Sequence, residues 1–411
     1  MTPATSGRSP TPAFSAWRGR SSPSIPDRWR SALLVVAAVA IGWAGWSGHA
    51  LTLPLAMLLP ALWAWVPNRV TAAAVSMGYF LAASRGLPQG VAAFFGTSVW
   101  AGILLWLLAS LSFVTVYAGL WTGRPGWRRA LRYMVAAVLM AVPPFGIVGW
   151  AHPITAAGIL FPEWRWWGLL ATLAVLLAMT TRAWPAAAIA LGGFWIWSAA
   201  SWTPVATPVG WQGVDTQLGA ALGRDRVLER HRQLAAMVRA RVLEGASVVV
   251  LPESALGPLT PTVERFWIDV LTGLDVTVIA GAVVIDPEGY DNVVVALGPR
   301  GARVRYRARM PVPVSMWQPW RSWLGNSGGA RATFFDDAIM EIAGSRVAPL
   351  ICYEQLLVWP VLQSALYRPD AIVAVANAWW AVGTSVPSIQ MASLTAWARL
   401  FGLTLVTSFN R

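Results

Sequence analysis

Lysine is missing from this chain: all 31 basic side chains are arginine. Without it there is no Schiff-base amine, no phosphate-loop lysine and no lysine general base. Cysteine occurs once, as Cys352, which excludes an intramolecular disulfide and a cysteine-built zinc site. Three histidines, His49, His152 and His231, are scattered without ligand spacing, so no metal and no other cofactor is implied. Charge is scarce as well. Charged residues make up 12% and hydrophobic ones 56%, about half the usual soluble share of charge, which argues against a wholly soluble protein.

The acids are absent from one half in particular. Residues 1–200 hold 13 Arg against two acids, Asp27 and Glu163, whereas residues 201–411 hold 18 Arg against 16 acids. The net charge of +13 therefore sits in the apolar half, where membrane topology explains it better than a nucleic-acid groove. The nearly neutral second half predicts no direct nucleic-acid contact.

Residues 1–30 are rich in Ser, Pro and Arg and read as a disordered cytoplasmic tail. The apolar run after it is long and has no small-residue cleavage site, so it reads as an uncleaved helix rather than a signal peptide. Residues 31–200 then offer seven candidate transmembrane helices, near 31–48, 50–66, 70–84, 91–121, 130–150, 166–181 and 184–200. With the N-terminus inside, the cytoplasmic segments collect eleven arginines and the outer loops two, Arg85 and Arg165. That topology predicts a multi-pass protein of the bacterial inner membrane with residues 201–411 in the periplasm.

After residue 201 the pattern changes to strands alternating with amphipathic helices. Strands are expected at 205–212 (VATPVGWQ) and in ASVVVLPESALGPL, DVTVIAGAVV, NVVVALG, RVRYRARMPVPV, RVAPLICYEQLL, DAIVAVANAWW and LTLVTSFN, with helices over 224–243 and near 388–400. Such alternation indicates an α/β layered domain. Glu253 and Cys352 each follow a buried apolar strand, where α/β folds place reacting groups. Taken singly, Glu253 fits a turn cap as well as a base, and Cys352 fits a small core residue as well as a nucleophile. Glu354 could activate a thiol or pair with an Arg.

The order of these pieces resembles the carbon–nitrogen hydrolase (nitrilase) superfamily. Leu251-Pro252-Glu253-Ser254 matches the segment of its first glutamate, and Ile351-Cys352-Tyr353-Glu354 that of its nucleophile. Asn377-Ala378-Trp379-Trp380 and Pro387-Ser388-Ile389-Gln390 resemble two further family segments in the right order. A polytopic α-helical membrane half joined to such a domain resembles apolipoprotein N-acyltransferase and its relatives. The string from Met310 to Trp320 looks most like the branch linked to plasmid conjugal transfer. The resemblance implies an αββα sandwich over 201–411 and catalytic roles for Glu253, Cys352 and Glu354. It also implies substrate contacts from Asn377, Trp379, Trp380 and Trp317. Phospholipid, and other mating-pair proteins of conjugal transfer, would be the partners.

The departures bear on activity. The family's Glu–Lys–Cys triad places its lysine two residues after a Tyr and five before a Pro; counting from Tyr306 and from Pro313, both reach Ala308. The supporting glutamate eight residues on is Met316, the Asp of the Asn-Asp pair is Ala378, and the final transmembrane helix of the acyltransferases is not expected beyond Arg411. Strand alternation turns Arg307 and Arg309 away from the face of Ala308. Three roles stay open: a conjugal-transfer protein on a degenerate scaffold, an acyltransferase or amidase working through a Cys352 thioester, or a non-catalytic lipid-binding or assembly module.

Overall fold

A computed structural model describes residues 27–219 and 227–411. The first half is helical: α1 (Asp27–Gly45), α2 (Leu59–Ala64), α3 (Arg69–Ala83), α4 (Leu87–Phe95), α5 (Val99–Leu120), α6 (Trp127–Ala141), α7 (Ala157–Leu160), α8 (Arg165–Met179) and α9 (Trp184–Ala200), with 3-10 turns between some of them. Each of the seven apolar segments therefore carries helix, but with other lengths. The segment 91–121 is two helices because Gly96, in the left-handed conformation, ends α4. The segment 50–66 is mostly a 3-10 stretch with Pro54 inside it. Among the described residues one helix, Val99–Leu120, is long and apolar enough to cross a membrane, while Arg69–Ala83, Arg165–Met179 and Trp184–Ala200 are apolar but shorter. The expected tail is corrected at one end, since Asp27 to Arg30 already belong to α1; residues 1–26 lie outside the described residues.

The second half is built on two sheets. The first has the order β1 (Trp211–Gly213), β2 (Val248–Val250), β3 (Thr277–Asp286), β4 (Gly289–Gly298) and β5 (Gly301–Arg307). The second runs β6 (Met340–Ile342), β7 (Ser345–Ile351), β8 (Ala371–Asn377) and β9 (Thr404–Asn410). Both are mixed: β1–β2–β3 and β7–β8–β9 are parallel, and the remaining pairs antiparallel. The first strand is shorter than 205–212 because Pro204 and Pro208 supply no ladder donors. Helix α10 (Val227–Leu243) follows the expected period; the start expected at 224 lies outside the described residues. Helices α11 (Pro261–Leu271) and α13 (Val358–Ala365), and the single turn α12 (Trp320–Trp323), were not expected; each is short and none continues a long apolar period.

Alternation along the strands sets the layers. Val248, Val250, Ile279 and Val294 share one face of the first sheet and belong to the same buried cluster as the second sheet. Val249, Val278, Val293 and Val295 face outward onto Leu234 and Val238 of α10 and onto Val263 and Trp267 of α11. On the far side α14 (Val386–Phe401) presents Leu394 and Trp397 to the second sheet. Its opposite face, Ile389, Ala392 and Ala396, joins the core of the helical half. The result is an αββα sandwich whose last layer is shared with the helical half.

Candidate active site

The C-terminal ends of β2, β7 and β8 converge, and each delivers one polar residue. Leaving β2, the chain turns at Pro252 and carries Glu253 into the interior, where it is 4% exposed. One carboxylate oxygen accepts a hydrogen bond from Asn292 Nδ2 at 2.6 Å, the other from the backbone N–H of Asn377 at 2.8 Å. The turn fits because β3 has glycine beneath it. A Cβ on Gly281 would lie 2.5 Å from Glu253 Cα and from Ser254 N. Those are backbone atoms and cannot rotate away, so Gly281→Ala should displace Glu253 or cost about 1–3 kcal/mol. Thermal unfolding and the pH profile of Cys352 alkylation together check this; both unchanged would mean the turn has slack.

Cys352 follows the last residue of β7 with φ at +47°, a left-handed conformation rare outside glycine. Its carbonyl accepts from Gln390 Nε2 at 2.9 Å, which anchors the strained turn to α14. The thiol and the Glu253 carboxyl are close enough to shift each other's titration. Burial pushes the thiol well above its ordinary pKa, and the Glu253 charge and hydrogen bond push it further; backbone N–H groups of Asn377 and Tyr353 oppose the shift. Burial also raises the Glu253 carboxyl, against the hydrogen bonds from Asn292, Asn377 and Cys352 that favour its charged form. A thiol with its proton, beside a partly tuned carboxylate, is a nucleophile and base before reaction.

Glu354 is fully buried but its carboxylate is engaged elsewhere. It accepts from Tyr306 Oη at 2.8 and 2.9 Å, and from the backbone N–H groups of Arg309 at 2.7 Å, Met310 at 3.1 Å and Ile351 at 2.8 Å. These bonds tie the turn at Cys352 to the chain leaving β5, which makes Glu354 a positioning group in this geometry. Arg309 corrects the expectation from strand alternation. β5 stops at Arg307, so Arg309 bends inward and is completely buried, donating to Tyr306 Oη, Gln363 Oε1 and Ser364 Oγ. Arg307 does point away, and pairs with Asp291. Ala308 is buried between them and donates its N–H to the Asn292 carbonyl at 2.8 Å. Beside it Asn292 Oδ1 has no hydrogen-bond partner among the described residues.

The other expected contacts divide. Asn377 meets Glu253 through its backbone, while its side-chain oxygen accepts from Asn410 Nδ2 at 2.8 Å. Trp379 stacks on Phe94 of the helical half, ring centroids 6.2 Å apart, and Trp380 packs onto Gly90. Trp317 sits edge-on to Phe334, 5.4 Å between centroids, against the core of the helical half. Tyr353 donates its hydroxyl to the Ile147 carbonyl at 2.6 Å. The loops around Cys352 thus rest on the helical half. Asn292 was not foreseen, nor were the buried roles of Tyr306 and Arg309; Asn292 and Arg309 lie in a strand of valines and in an Arg-rich stretch, with no spacing to single them out.

Comparison with known proteins bears on this arrangement. The profile of the carbon–nitrogen hydrolase family matches residues 81–399. A relative named conjugal transfer protein TraB, from Agrobacterium fabrum, is 59% identical over 416 residues, covering 99% of each chain. A second, named probable conjugal transfer protein TraB, from Sinorhizobium fredii, is 59% identical over 384 residues, covering 93% of this chain and 99% of that one. Among solved structures, an amidase of the nitrilase superfamily from Nesterenkonia AN1 aligns with 48% of this chain and 74% of its own, at 12% identity and a TM-score of 0.34.

Proposed function

We propose, from the premise that this chain belongs to the carbon–nitrogen hydrolase family, that it is an inner-membrane protein of plasmid conjugal transfer whose Glu253–Cys352 pair forms an acyl thioester. The observation that carries the chemistry is the buried Glu253 carboxylate, held by the backbone N–H of Asn377 at the end of β8, beside the strained turn at Cys352 that follows the neighbouring strand β7. Glu253 takes the thiol proton as Sγ attacks an ester carbonyl. The alcohol leaves with that proton, and the acyl group stays on sulfur. An amine or water then attacks the thioester, Glu253 again accepts a proton, and the thiol is restored. With Ala308 in the lysine position, the oxyanion is left to backbone N–H groups, and loss of one such donor elsewhere costs about 10²–10³ in rate. The reaction is therefore slow, suited to modifying a few partners in the transfer apparatus rather than to bulk turnover.

The membrane placement is supported by what faces outward. Leu104, Leu108 and Leu111 of α5, and Ile189, Ile196 and Trp197 of α9, are exposed, and apolar surface of this extent favours lipid. The two ends of the helical half also differ. At one end Arg30 donates to the Trp65 carbonyl and Arg129 lies over the Trp65 ring, near the Arg-rich turn 124–132. At the other, Gly90 and Ile147 touch the αββα domain. The positive-inside rule puts the first end in the cytoplasm and the domain in the periplasm. Several helices are shorter than the ~20 residues of a full span, which suits a bundle whose outer ends are capped by the domain. The acyl donor is then a membrane phospholipid, and the partners are other transfer proteins.

The test is mass spectrometry of the Cys352 peptide from protein purified out of native membranes, with and without neutral hydroxylamine. The expected result is a hydroxylamine-labile acyl mass, together with a drop in plasmid transfer for Cys352→Ala. A bare thiol together with undiminished transfer by Cys352→Ala would overturn the catalytic reading and leave a structural protein.

A further inference from the structure

A cavity lies at the opposite end of the second sheet from Cys352. Arg346, on its wall, is the second residue of β7, and Cys352 follows the last, so the two are about 20 Å apart along the strand. The cavity measures about 1150 Å³ and is enclosed by the turn into α8, the first half of α8, and the loop between α13 and β8. Its polar wall holds three cations, Arg165, Arg346 and Arg368, and two acids, Glu163 and Asp370. Arg346 and Asp370 face each other at 3.9 Å, while Arg165, Arg368 and Glu163 enter no ion pair among the described residues. The backbones of those last three all lie in the left-handed region, with φ of 51°, 51° and 65°. Non-glycine residues held there mark places where the fold maintains strain.

The opposite wall is apolar. Trp166, Trp167 and Leu170 line it, with Trp167 74% and Leu170 55% exposed. Polarity therefore grades along the cavity, from arginines and acids beside the αββα domain to tryptophan and leucine down α8. Tryptophan prefers the membrane interface, and α8 runs from there into the bilayer on the reading proposed above. Two guanidinium groups outside any ion pair among the described residues suit a phosphodiester, and the Glu163 carboxylate, itself in no ion pair but with the Arg399 charge nearby, suits a cationic amine. One molecule carries both charges and an apolar body.

We propose that this cavity holds a single zwitterionic phospholipid, phosphate on Arg165 and Arg368, head amine toward Glu163, acyl chains along Trp167 and Leu170. The bound lipid is a resident one, remote from the thiol, that joins the helical half to the second sheet. The inference rests on the membrane reading. A carbonate wash of native membranes tests that reading separately: protein retained in the pellet upholds it whatever the lipid result, and protein released would overturn both.

The experiment is native mass spectrometry of the full chain in detergent, offered phosphatidylethanolamine or phosphatidylglycerol at matched concentration. The expected result is one phosphatidylethanolamine per chain, bound about tenfold more tightly than phosphatidylglycerol, which has no head amine. Arg165→Ala with Arg368→Ala should weaken phosphatidylethanolamine by about tenfold or more. Glu163→Gln should keep lipid bound but abolish the preference between the two headgroups, a change in ratio that misfolding would not produce. Free phosphoethanolamine and inorganic phosphate should not displace the lipid. Equal binding of the two lipids to the unmodified chain, binding untouched by the double arginine variant, or displacement by either soluble phosphate would overturn the proposal.

Discussion

Arg309→Met is expected to destabilise the αββα domain by about 3–5 kcal/mol, the usual result of removing one member of a buried charge network. Arg309 has no exposed surface, and its guanidinium is used on three sides, by Tyr306 Oη at 2.8 Å, Gln363 Oε1 at 2.8 Å and Ser364 Oγ at 3.0 Å. Methionine would fill much of the volume but strand Gln363 Oε1 and remove the buried cation whose charge, one hydrogen bond away through Tyr306, offsets that of the Glu354 carboxylate. Glu354 in turn fixes Ile351 N–H, one residue before the nucleophile, so the damage should reach the site. The control is Arg307→Met. Arg307 pairs with Asp291 on a partly exposed face, and Asp291 keeps Arg331 at 2.7 Å, so the loss should stay within about 1 kcal/mol. Thermal unfolding of the purified proteins separates them: a midpoint drop of about 10 °C or more for Arg309→Met, against a degree or two for Arg307→Met. Equal shifts would show that the buried network contributes no more than the surface pair.

That contrast also shows where sequence reasoning stops. Valine runs such as Val248–Val250, and the apolar stretch before Cys352, carry their strand character in their composition, so the two layers and the positions of Glu253 and Cys352 were legible. The period that makes a strand also assigns its faces, and there it misled: alternation from Ala308 turns Arg309 outward, but β5 ends at Arg307 and the period no longer applies. Strand ends depend on pairing partners, which one chain's pattern does not contain. Hydropathy failed in a similar way in the helical half. It records which residues prefer lipid but not where Gly96 and Pro54 interrupt the backbone, so a single run over 91–121 became two helices and 50–66 became largely 3-10. Asn292 was invisible for another reason. Its importance comes from β3–β4 register, which lays it against Val283 and within reach of Glu253 from 39 residues away.

Ala308→Lys is expected to raise the rate of acyl-thioester formation at Cys352 by about 10²–10³, the effect of one added oxyanion donor. Position 308 lies in one buried cluster with Cys352, and its neighbour Asn292 leaves Oδ1 without a partner among the described residues, an acceptor ready for an ammonium group beside the Glu253 carboxylate. Taking the longer side chain into this core should cost about 1–3 kcal/mol, which a folded domain survives. The charge has a second consequence with a definite sign. Burial and Glu253 hold the thiol well above its ordinary pKa, so alkylation by iodoacetamide should be slow near neutrality and rise with pH. A cation nearby favours the thiolate, so the Lys variant's alkylation profile should move to lower pH. Measuring both quantities on one preparation separates two explanations of the missing lysine. If the profile moves and acylation rises, lysine was the only missing part and the native site is a slowed enzyme. If the profile moves and acylation does not rise, the thiol is activated but no ester reaches it, and the site has been turned from acyl transfer to holding the junction between the sandwich and the helical half.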